Sequence, residues 1–280
     1  MGLLKVLKER KKYLSKFEPE YLKEFFNEMY DFYESNEDQF VNIGLLNETQ
    51  AKFRYNPNRH SIDVAFECSR PNRVHKKFPI AIDWIINLFY IPVNFIFARF
   101  KRTYKDSDIK FYTHAGFTLA WLACVDYFEN TINCMLQEHP DVTDIRIYGW
   151  SYGGAMAQFA YEFAKYKYEM KQKRSTVTAM TIGAPRIFFN MYLMFWRIKD
   201  WLRFIPRFDR LIMFANNNDI VTKMPLKILG FSHVVPCYKV GDKFNIFKVF
   251  NPMKYHLNTT YKQIINDELD DRIFEKQYVC

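Results

Sequence analysis

A chain of 280 residues, 49% of them hydrophobic, can bury the core of one sizeable domain without disulfide bonds. Its five scattered cysteines form no CxxC pair, which excludes a disulfide framework or a zinc site and favours a reducing compartment. The formal charge of +9 favours anionic partners, but the sequence has neither zinc-finger spacing nor an RNP-like aromatic motif, so we expect no nucleic-acid partner. An acidic membrane surface fits this charge better.

The N-terminus carries no recognisable targeting signal. Its apolar run ends at Leu7 and the five charged residues 8–12 follow, which is unlike a secretory signal. Val6 stands where an N-myristoylation signal requires Ser or Thr, and Cys280, as the last residue, cannot open a prenylation box. We therefore expect an intracellular protein, either cytoplasmic or bound peripherally to a membrane.

The first part of the chain predicts a helix and then a hairpin. Residues 18–34 place apolar side chains at helical spacing: Leu22, Phe25, Phe26, Met29 and Tyr33. We expect an amphipathic helix that packs on the body, within a helical N-terminal extension over residues 1–45. Residues 51–69 contain two strand-like runs around a turn cluster at residues 56–58, which predicts a β-hairpin.

From residue 114 onward, helical and strand-like patterns alternate. A helical pattern over 114–140 is followed by an Ile-rich strand-like run, a second helical pattern and two more strand-like runs: 141–150, 151–170, 175–185 and 210–221. Strands that alternate with helices imply a mostly parallel central sheet with helices on both faces. We therefore predict a single α/β domain over residues 1–280, with its chemistry at the carboxyl ends of the strands.

The segment Gly149–Gly154, Gly-Trp-Ser-Tyr-Gly-Gly, has the pattern of a nucleophile elbow. A β-branched strand enters it and an alanine-rich helix leaves it, which is the context that this motif requires. Side chains at Gly149 or Gly153 would collide with the neighbouring strand and helix. Ser151 is therefore the candidate nucleophile; the alternative is a plain glycine turn between a strand and a helix.

A serine nucleophile needs a histidine base and a carboxylate that orients the histidine, and in the fold built around this elbow the acid precedes the histidine in the chain. Asp219 directly follows a strand-like run, so its carboxylate can lie at a strand's carboxyl end. The alternative for Asp219 is a side chain that caps its own Asn-rich turn. Asp200 and Asp209 flank helical or aromatic stretches, and we expect them to be solvated.

Two histidines follow Ser151 in the chain, His233 and His256. His256 lies at the start of a predicted terminal helix and is favoured as the base. His233 lies next to or inside a strand only 14 residues after Asp219, where a histidine is more often a polar packing residue. The histidines that precede the nucleophile fit the chain order less well: His60, His75, His114 and His139.

Together these segments resemble the lipase class 3 family, the fungal-type lipases of the α/β-hydrolase superfamily. The resemblance follows the family's order, over about residues 50–265, in VAFECSR with DWIINL, THAGF, GWSYGGAMAQ, TIGAPRIF, NNNDIVTKMP and HLNTTY. This breadth is more specific than any single motif.

The resemblance implies roles for individual residues. Ser151, Asp219 and His256 would be the nucleophile, the acid and the base of a two-step acyl transfer. The backbone N–H groups of Ser69 and Tyr152 would form the oxyanion hole. Further residues would shape the elbow and the floor of the site: Gly149, Gly153, Gly154, His114 and Gly116. The resemblance implies neither a metal nor a cofactor.

Two departures from the family's pattern lie beside the predicted site. Glu67 and Cys68 replace the Arg-Gly pair that precedes the oxyanion residue, and we expect Cys68 to adopt the conformation of glycine only with strain. Trp150 and Tyr152 replace the usual His and Leu on either side of the nucleophile. These two changes are expected to alter the shape of the pocket without altering the mechanism.

Two aromatic-rich segments predict contact with lipid. Residues 79–98 are nearly continuously apolar, and a lid over the site is favoured over a membrane span because four residues interrupt the run: Asp83, Asn87, Pro92 and Asn94. Residues 187–208 mix aromatic with basic side chains. Two interpretations of this blend are equally favoured: an interfacial helix on anionic lipid, and a buried cap helix with charged edges.

The sequence therefore predicts a serine esterase or lipase that hydrolyses the carboxylic esters of acylglycerols or phospholipids at a membrane interface. Two alternatives stay open. One is a soluble carboxylesterase or acyltransferase on small esters. The other, suggested by Glu67 and Cys68, is a catalytically inactive lipid-binding relative. The sequence does not indicate the acyl length, the head group or the oligomeric state.

Overall fold

The computed structural model of the chain describes residues 12–44, 49–68, 112–189, 205–245 and 252–278, together with the backbone of 92–94. The helices and strands among these residues are, in chain order, α1 (Pro19–Glu34), β1 (Val41–Asn42), β2 (Gln50–Asn56), β3 (Ser61–Phe66), β4 (Pro92–Asn94), β5 (Tyr112–His114), α2 (Ala115–Glu138), β6 (Asp144–Trp150), α3 (Tyr152–Ala164), β7 (Thr176–Ile182), β8 (Phe188–Phe189), β9 (Leu211–Asn216), β10 (Phe231–Ser232), β11 (Tyr238–Val240), α4 (Pro252–His256) and α5 (Asn258–Tyr278). α3 continues into a π-helical turn, Lys165–Lys171.

The central sheet has seven strands in the order β1-β2-β3-β6-β7-β9-β11. The five strands from β3 to β11 run parallel to their neighbours, whereas β1 and β2 are added antiparallel at one side. β2 and β3 form the hairpin predicted over residues 51–69. The mostly parallel sheet predicted from the sequence is therefore confirmed.

Both faces of this sheet are covered because the side chains of each strand alternate between them. In β9, Leu211 and Met213 face a core shared with α2 and α3, whereas Ile212 and Phe214 face a second core shared with α1 and α5. The five apolar residues predicted for the helix at 18–34 are buried in the second core. Helices on both faces, as predicted, follow from strands that are apolar on both sides.

The register places the functional segments at one edge of the sheet. Phe66 at the end of β3 pairs with Gly149 in β6, and Trp150 at the end of β6 pairs with Ile182 at the end of β7. The chain therefore leaves β3, β6 and β7 at the same level and on the same edge. We call this edge the carboxyl edge.

A second, four-stranded antiparallel sheet has the order β10-β8-β5-β4. Its strands have two or three residues each, too few to show a period in the sequence, and none was predicted. The same holds for β1, which adds a strand to the predicted helical extension at 1–45. None of the described helices is long and apolar enough to cross a bilayer. The predicted lid at 79–98 lies outside the described residues except for β4, and so does most of 187–208.

Candidate active site

Ser151 lies between the end of β6 and the start of α3, with φ 57° and ψ −124°. This backbone conformation costs a residue other than glycine roughly 1–3 kcal/mol, so the surrounding structure must impose it. A Cβ at Gly149 would lie 2.2 Å from the carbonyl oxygen of Gly153, and a Cβ at Gly153 would lie 2.3 Å from the carbonyl oxygen of Phe66. Both positions require glycine because backbone meets backbone there. The tight turn presents the hydroxyl of Ser151 at the carboxyl edge.

The imidazole of His256 lies between Ser151 and Asp219. His256 Nε2 is 2.7 Å from Ser151 Oγ, and His256 Nδ1 is 2.8 Å from Asp219 Oδ2. A carboxylate can only accept hydrogen bonds, so we assign the imidazole proton to Nδ1 and leave Nε2 as the acceptor for the serine hydroxyl. The structure thus brings together the three residues predicted to act as a triad, although 105 positions separate Ser151 from His256 in the chain.

Asp219 is fully buried, and three donors orient its carboxylate. Oδ1 accepts the backbone N–H of Val221 at 2.8 Å, and Oδ2 accepts the hydroxyl of Tyr261 at 2.7 Å in addition to His256 Nδ1. Burial raises the pKa of Tyr261 well above its ordinary value, and the charge of Asp219 raises this pKa further, so the hydroxyl remains a donor. Tyr261 is the last residue of the segment HLNTTY that resembles the family, but no role was predicted for it.

Gly183, the first residue after β7, was not among the predicted site residues, although it lies next to His256 and Asp219. A Cβ at this position would lie 3.1 Å from His256 Cε1 and 3.2 Å from Asp219 Oδ2, and its φ is +60°. The next residue also makes a close approach, because a Cβ at Gly154 would lie 2.7 Å from the Cβ of Ala184. The Gly-Ala pair after a strand in TIGAP is the signal that could have pointed to this loop.

Two side chains hold the backbone around His256. Asn216 Nδ2 donates to the carbonyl of Tyr255 at 3.3 Å, and Trp150 Nε1 donates to the carbonyl of His256 at 2.9 Å. The Trp150 ring also lies beside the imidazole, with 5.7 Å between ring centroids. Trp150, which directly precedes Ser151, therefore contacts the predicted base, and no local sequence pattern indicated this contact.

One of the two predicted oxyanion donors falls within the described residues. Tyr152 is the first residue of α3, and the N–H groups of a first helical turn point toward the helix N-terminus, where the helix dipole is positive. Its buried side chain shares a hydrogen bond of 2.8 Å with Thr49 Oγ1. The other predicted donor, Ser69, lies outside the described residues.

The segment that leads to Ser69 passes next to the elbow. A Cβ at Gly153 would lie 2.8 Å from the carbonyl oxygen of Glu67, and the N–H of Cys68 donates to the hydroxyl of Tyr33 at 3.4 Å. Among the described residues other than glycine, positive φ angles occur at three positions: His60, Ser151 and Lys173. The backbone of Cys68 therefore does not enter the left-handed region that favours glycine, and the strain that this conformation would cost does not arise there.

His114 caps the N-terminus of α2, where its Nδ1 accepts the N–H of Phe117 at 3.4 Å. Its buried ring packs against Phe117 and Phe231, and Phe117 in turn lies 6.1 Å, between centroids, from the ring of Tyr152. His114 thus reaches the elbow through Phe117. Gly116 is buried in the first turn of α2.

The alternative acid and base lie away from the serine. Asp209 precedes β9, at the opposite edge of the sheet, and pairs with Lys165 at 2.9 Å. His233 Nε2 lies 2.9 Å from the carbonyl of Thr222 and donates to it, as a polar packing residue does. Asp200 lies outside the described residues. No cluster of His, Cys, Asp and Glu among the residues that the structure describes could hold a metal ion.

We expect the acid sensitivity of folding to depend on His233. Desolvation lowers its pKa to about 3, and the charge of Arg186 acts in the same direction. In the unfolded chain the ring titrates at roughly 6.5. Between these two pKa values the unfolded state binds the additional proton, so stability falls as the pH falls through this window.

The variant His233→Gln keeps an N–H donor for Thr222 but cannot titrate. We therefore expect its Tm, measured by circular dichroism, to fall less than that of the unmodified chain when the pH is lowered from about 6 to about 4. Both pH values lie between the pKa of His233 in the unfolded chain and its pKa in the folded chain. A slope of Tm against pH equal to that of the unmodified chain would contradict this expectation.

Comparison with known proteins gives the site its context. A model of the lipase (class 3) family matches residues 83–228, just over half of the chain. The Rhizomucor miehei lipase in its propeptide complex is 18% identical over 74% of this chain and 58% of that chain, with a TM-score of 0.53. The triacylglyceride lipase of the same organism is 17% identical over 74% of this chain and 68% of that chain, with a TM-score of 0.53.

A third solved structure is a triacylglycerol lipase whose catalytic centre is a serine protease triad. It is 19% identical over 73% of this chain and 66% of that chain, with a TM-score of 0.53. At such identities these structures show a shared α/β-hydrolase fold, and this chain spans less than three fifths of the first of them. Because the family model covers more than half of its length, the chain belongs to the lipase (class 3) family.

Proposed function

We propose that the chain is a lipase, a serine hydrolase of carboxylic esters, with Ser151 as nucleophile, His256 as base and Asp219 as the acid that orients the base. One observation carries this proposal: the unbroken series of hydrogen bonds from Ser151 Oγ through the imidazole to Asp219 Oδ2. Each pair of atoms is already within hydrogen-bond distance, so the proton can leave the hydroxyl without rearrangement of the site. Membership of the lipase family supports the same reading.

The first half of the proposed reaction acylates the serine. Ser151 Oγ attacks the ester carbonyl carbon while His256 Nε2 takes the hydroxyl proton. The carboxylate of Asp219 stabilises the imidazolium that forms. His256 then gives the proton to the departing alkoxide oxygen, which leaves as an alcohol, and the acyl group stays on Oγ.

The second half releases the acid. A water molecule gives a proton to His256 Nε2 as its oxygen attacks the acyl carbon, and Ser151 Oγ recovers the proton when the carboxylic acid leaves. Both steps place negative charge on the former carbonyl oxygen. The positive end of α3, where the N–H of Tyr152 lies, stabilises this charge.

We further propose that the substrate is a lipid ester met at an anionic membrane surface. The turn of residues 226–229 follows Asp219 at the carboxyl edge and exposes three apolar side chains: Leu226 by 47%, Ile228 by 85% and Leu229 by 46%. Lys227 is exposed within this turn, and the whole chain has a formal charge of +9. Exposed apolar residues beside a lysine on a basic chain fit insertion between the head groups of anionic lipids.

A single ester presented as monomers and as micelles tests this substrate class. We expect turnover to rise several-fold once the ester exceeds its critical micelle concentration, because the proposed substrate phase then exists. A rate that follows monomer concentration alone would favour the soluble carboxylesterase. An added alcohol acceptor distinguishes acyl transfer from hydrolysis, and a panel of acylglycerols and phospholipids identifies the head group.

The variant Ile228→Glu tests the membrane contact. It replaces an apolar anchor with a negative charge, so we expect binding to phosphatidylserine-containing vesicles to weaken by about tenfold or more. Met170→Glu is the control, since Met170 is another exposed apolar side chain, at 47%, but it precedes β7 at the opposite edge of the sheet. An equal loss of co-sedimentation in both variants would show a general charge effect and contradict the proposed surface.

A further inference from the structure

Trp150 is the last residue of β6 and directly precedes the nucleophile. The alternation along β6 places its side chain on the same face as Tyr148, which packs in the core shared with α1 and α5. Trp150 itself is partly buried against this core. Because His256 lies at the junction between α4 and α5, the indole ring points toward the residue that carries the base.

The contact between the two residues has a defined geometry. The indole N–H of Trp150 donates to the carbonyl oxygen of His256 at 2.9 Å. α4 has only five residues and ends at His256, and the last carbonyls of a helix find no partner within it. The chain therefore supplies a side-chain donor to the carbonyl of the base, and the second donor in this region, from Asn216 to Tyr255, is longer at 3.3 Å.

We propose that Trp150 is a positioning residue for His256: its indole N–H holds the backbone of His256 so that Nε2 stays 2.7 Å from Ser151 Oγ. This inference rests on the proposed function, because it takes His256 as the base. It differs from the prediction that residue 150 only alters the shape of the pocket. The end of one strand then carries both the nucleophile and the support of its base.

The variant Trp150→Phe tests this role, since phenylalanine keeps an aromatic ring beside the imidazole but removes the N–H donor. We expect kcat on a soluble ester to fall about tenfold with KM nearly unchanged, because substrate binding does not involve this hydrogen bond whereas proton transfer depends on the position of the base. The matched control is Trp121→Phe, in the core of α2, where Trp121 packs against Phe159. This control is expected to lower Tm while retaining kcat.

A measurement that needs no substrate accompanies the kinetics. Hydrogen exchange followed by mass spectrometry is expected to show faster exchange in the peptide that spans residues 252–260 of Trp150→Phe, but not of Trp121→Phe. Unchanged exchange, or an unchanged kcat in Trp150→Phe, overturns the positioning role. If the unmodified chain neither hydrolyses esters nor reacts with a fluorophosphonate, the proposed function fails instead, and the positioning role fails with it.

Discussion

Ser151→Ala is expected to abolish covalent capture of the chain by a fluorophosphonate probe and to lower kcat on a soluble ester by about 10⁴-fold or more. Alanine removes Oγ, the atom that lies 2.7 Å from His256 Nε2 and would bond to phosphorus or to the acyl carbon. Capture is measured as the mass increase of the intact chain, and turnover as released acid.

Ser15→Ala is a suitable control, because the hydroxyl of Ser15 is exposed and its hydrogen bond in the described part of the chain is to the backbone carbonyl of Lys12. It is expected to react as the unmodified chain does. Capture of Ser151→Ala at the normal rate would place the nucleophile at another residue. Lack of any capture in the unmodified chain would favour the inactive lipid-binding relative.

Asp219→Asn is expected to lower kcat by roughly 10³- to 10⁴-fold, with the nucleophile intact. The carboxylate of Asp219 accepts from three donors: the N–H of Val221, the hydroxyl of Tyr261 and Nδ1 of His256. The backbone N–H of Val221 cannot become an acceptor, so the amide oxygen of the variant faces Val221 and its N–H group faces His256. His256 then adopts the tautomer with its proton on Nε2, where it cannot accept the serine proton.

The rate of the acylation burst with a chromogenic ester measures this effect directly. Asp209→Asn is the matched control, since it makes the same change in the other described aspartate considered as the acid. Because Asp209 lies at the opposite edge of the sheet and pairs with Lys165, we expect its variant to keep the normal burst rate. A slow burst in Asp209→Asn with a normal burst in Asp219→Asn would reverse the assignment of the acid.

Local patterns were sufficient to predict the central elements and the tight strand–turn–helix elbow at Ser151. The helix at 18–34 and the hairpin at 51–69 show the side-chain periods of a helix and of strands, which the backbone geometry of each element produces. Ser151 could be identified for the same reason, because its strand, turn and helix are contiguous in the chain. Most strands of two or three residues, such as β4, β5 and β8, were missed because such lengths carry no period. The short strand β11 lies in the stretch after His233 where a strand was expected.

The partners of the acid and the base could not be predicted from local patterns. Tyr261 and Gly183 contact Asp219 only because α5 and the end of β7 meet at the carboxyl edge. Trp150 was expected to change only the pocket, yet it donates to the backbone of His256. Each of these contacts joins segments that are far apart in the chain, and the number of residues between two segments does not indicate how close they lie in the folded structure.

The order of residues along the chain was enough to establish the α/β class and the elbow, because each depends on neighbours within a few residues. It also supplied the candidate serine, aspartates and histidines for acyl transfer. Which aspartate and which histidine reach the serine depends on the order and register of the strands. Asp209 and Asp219 flank the same strand, β9, but the strand carries them to opposite edges of the sheet. Only the latter can meet His256, because in a parallel sheet all carboxyl ends lie together.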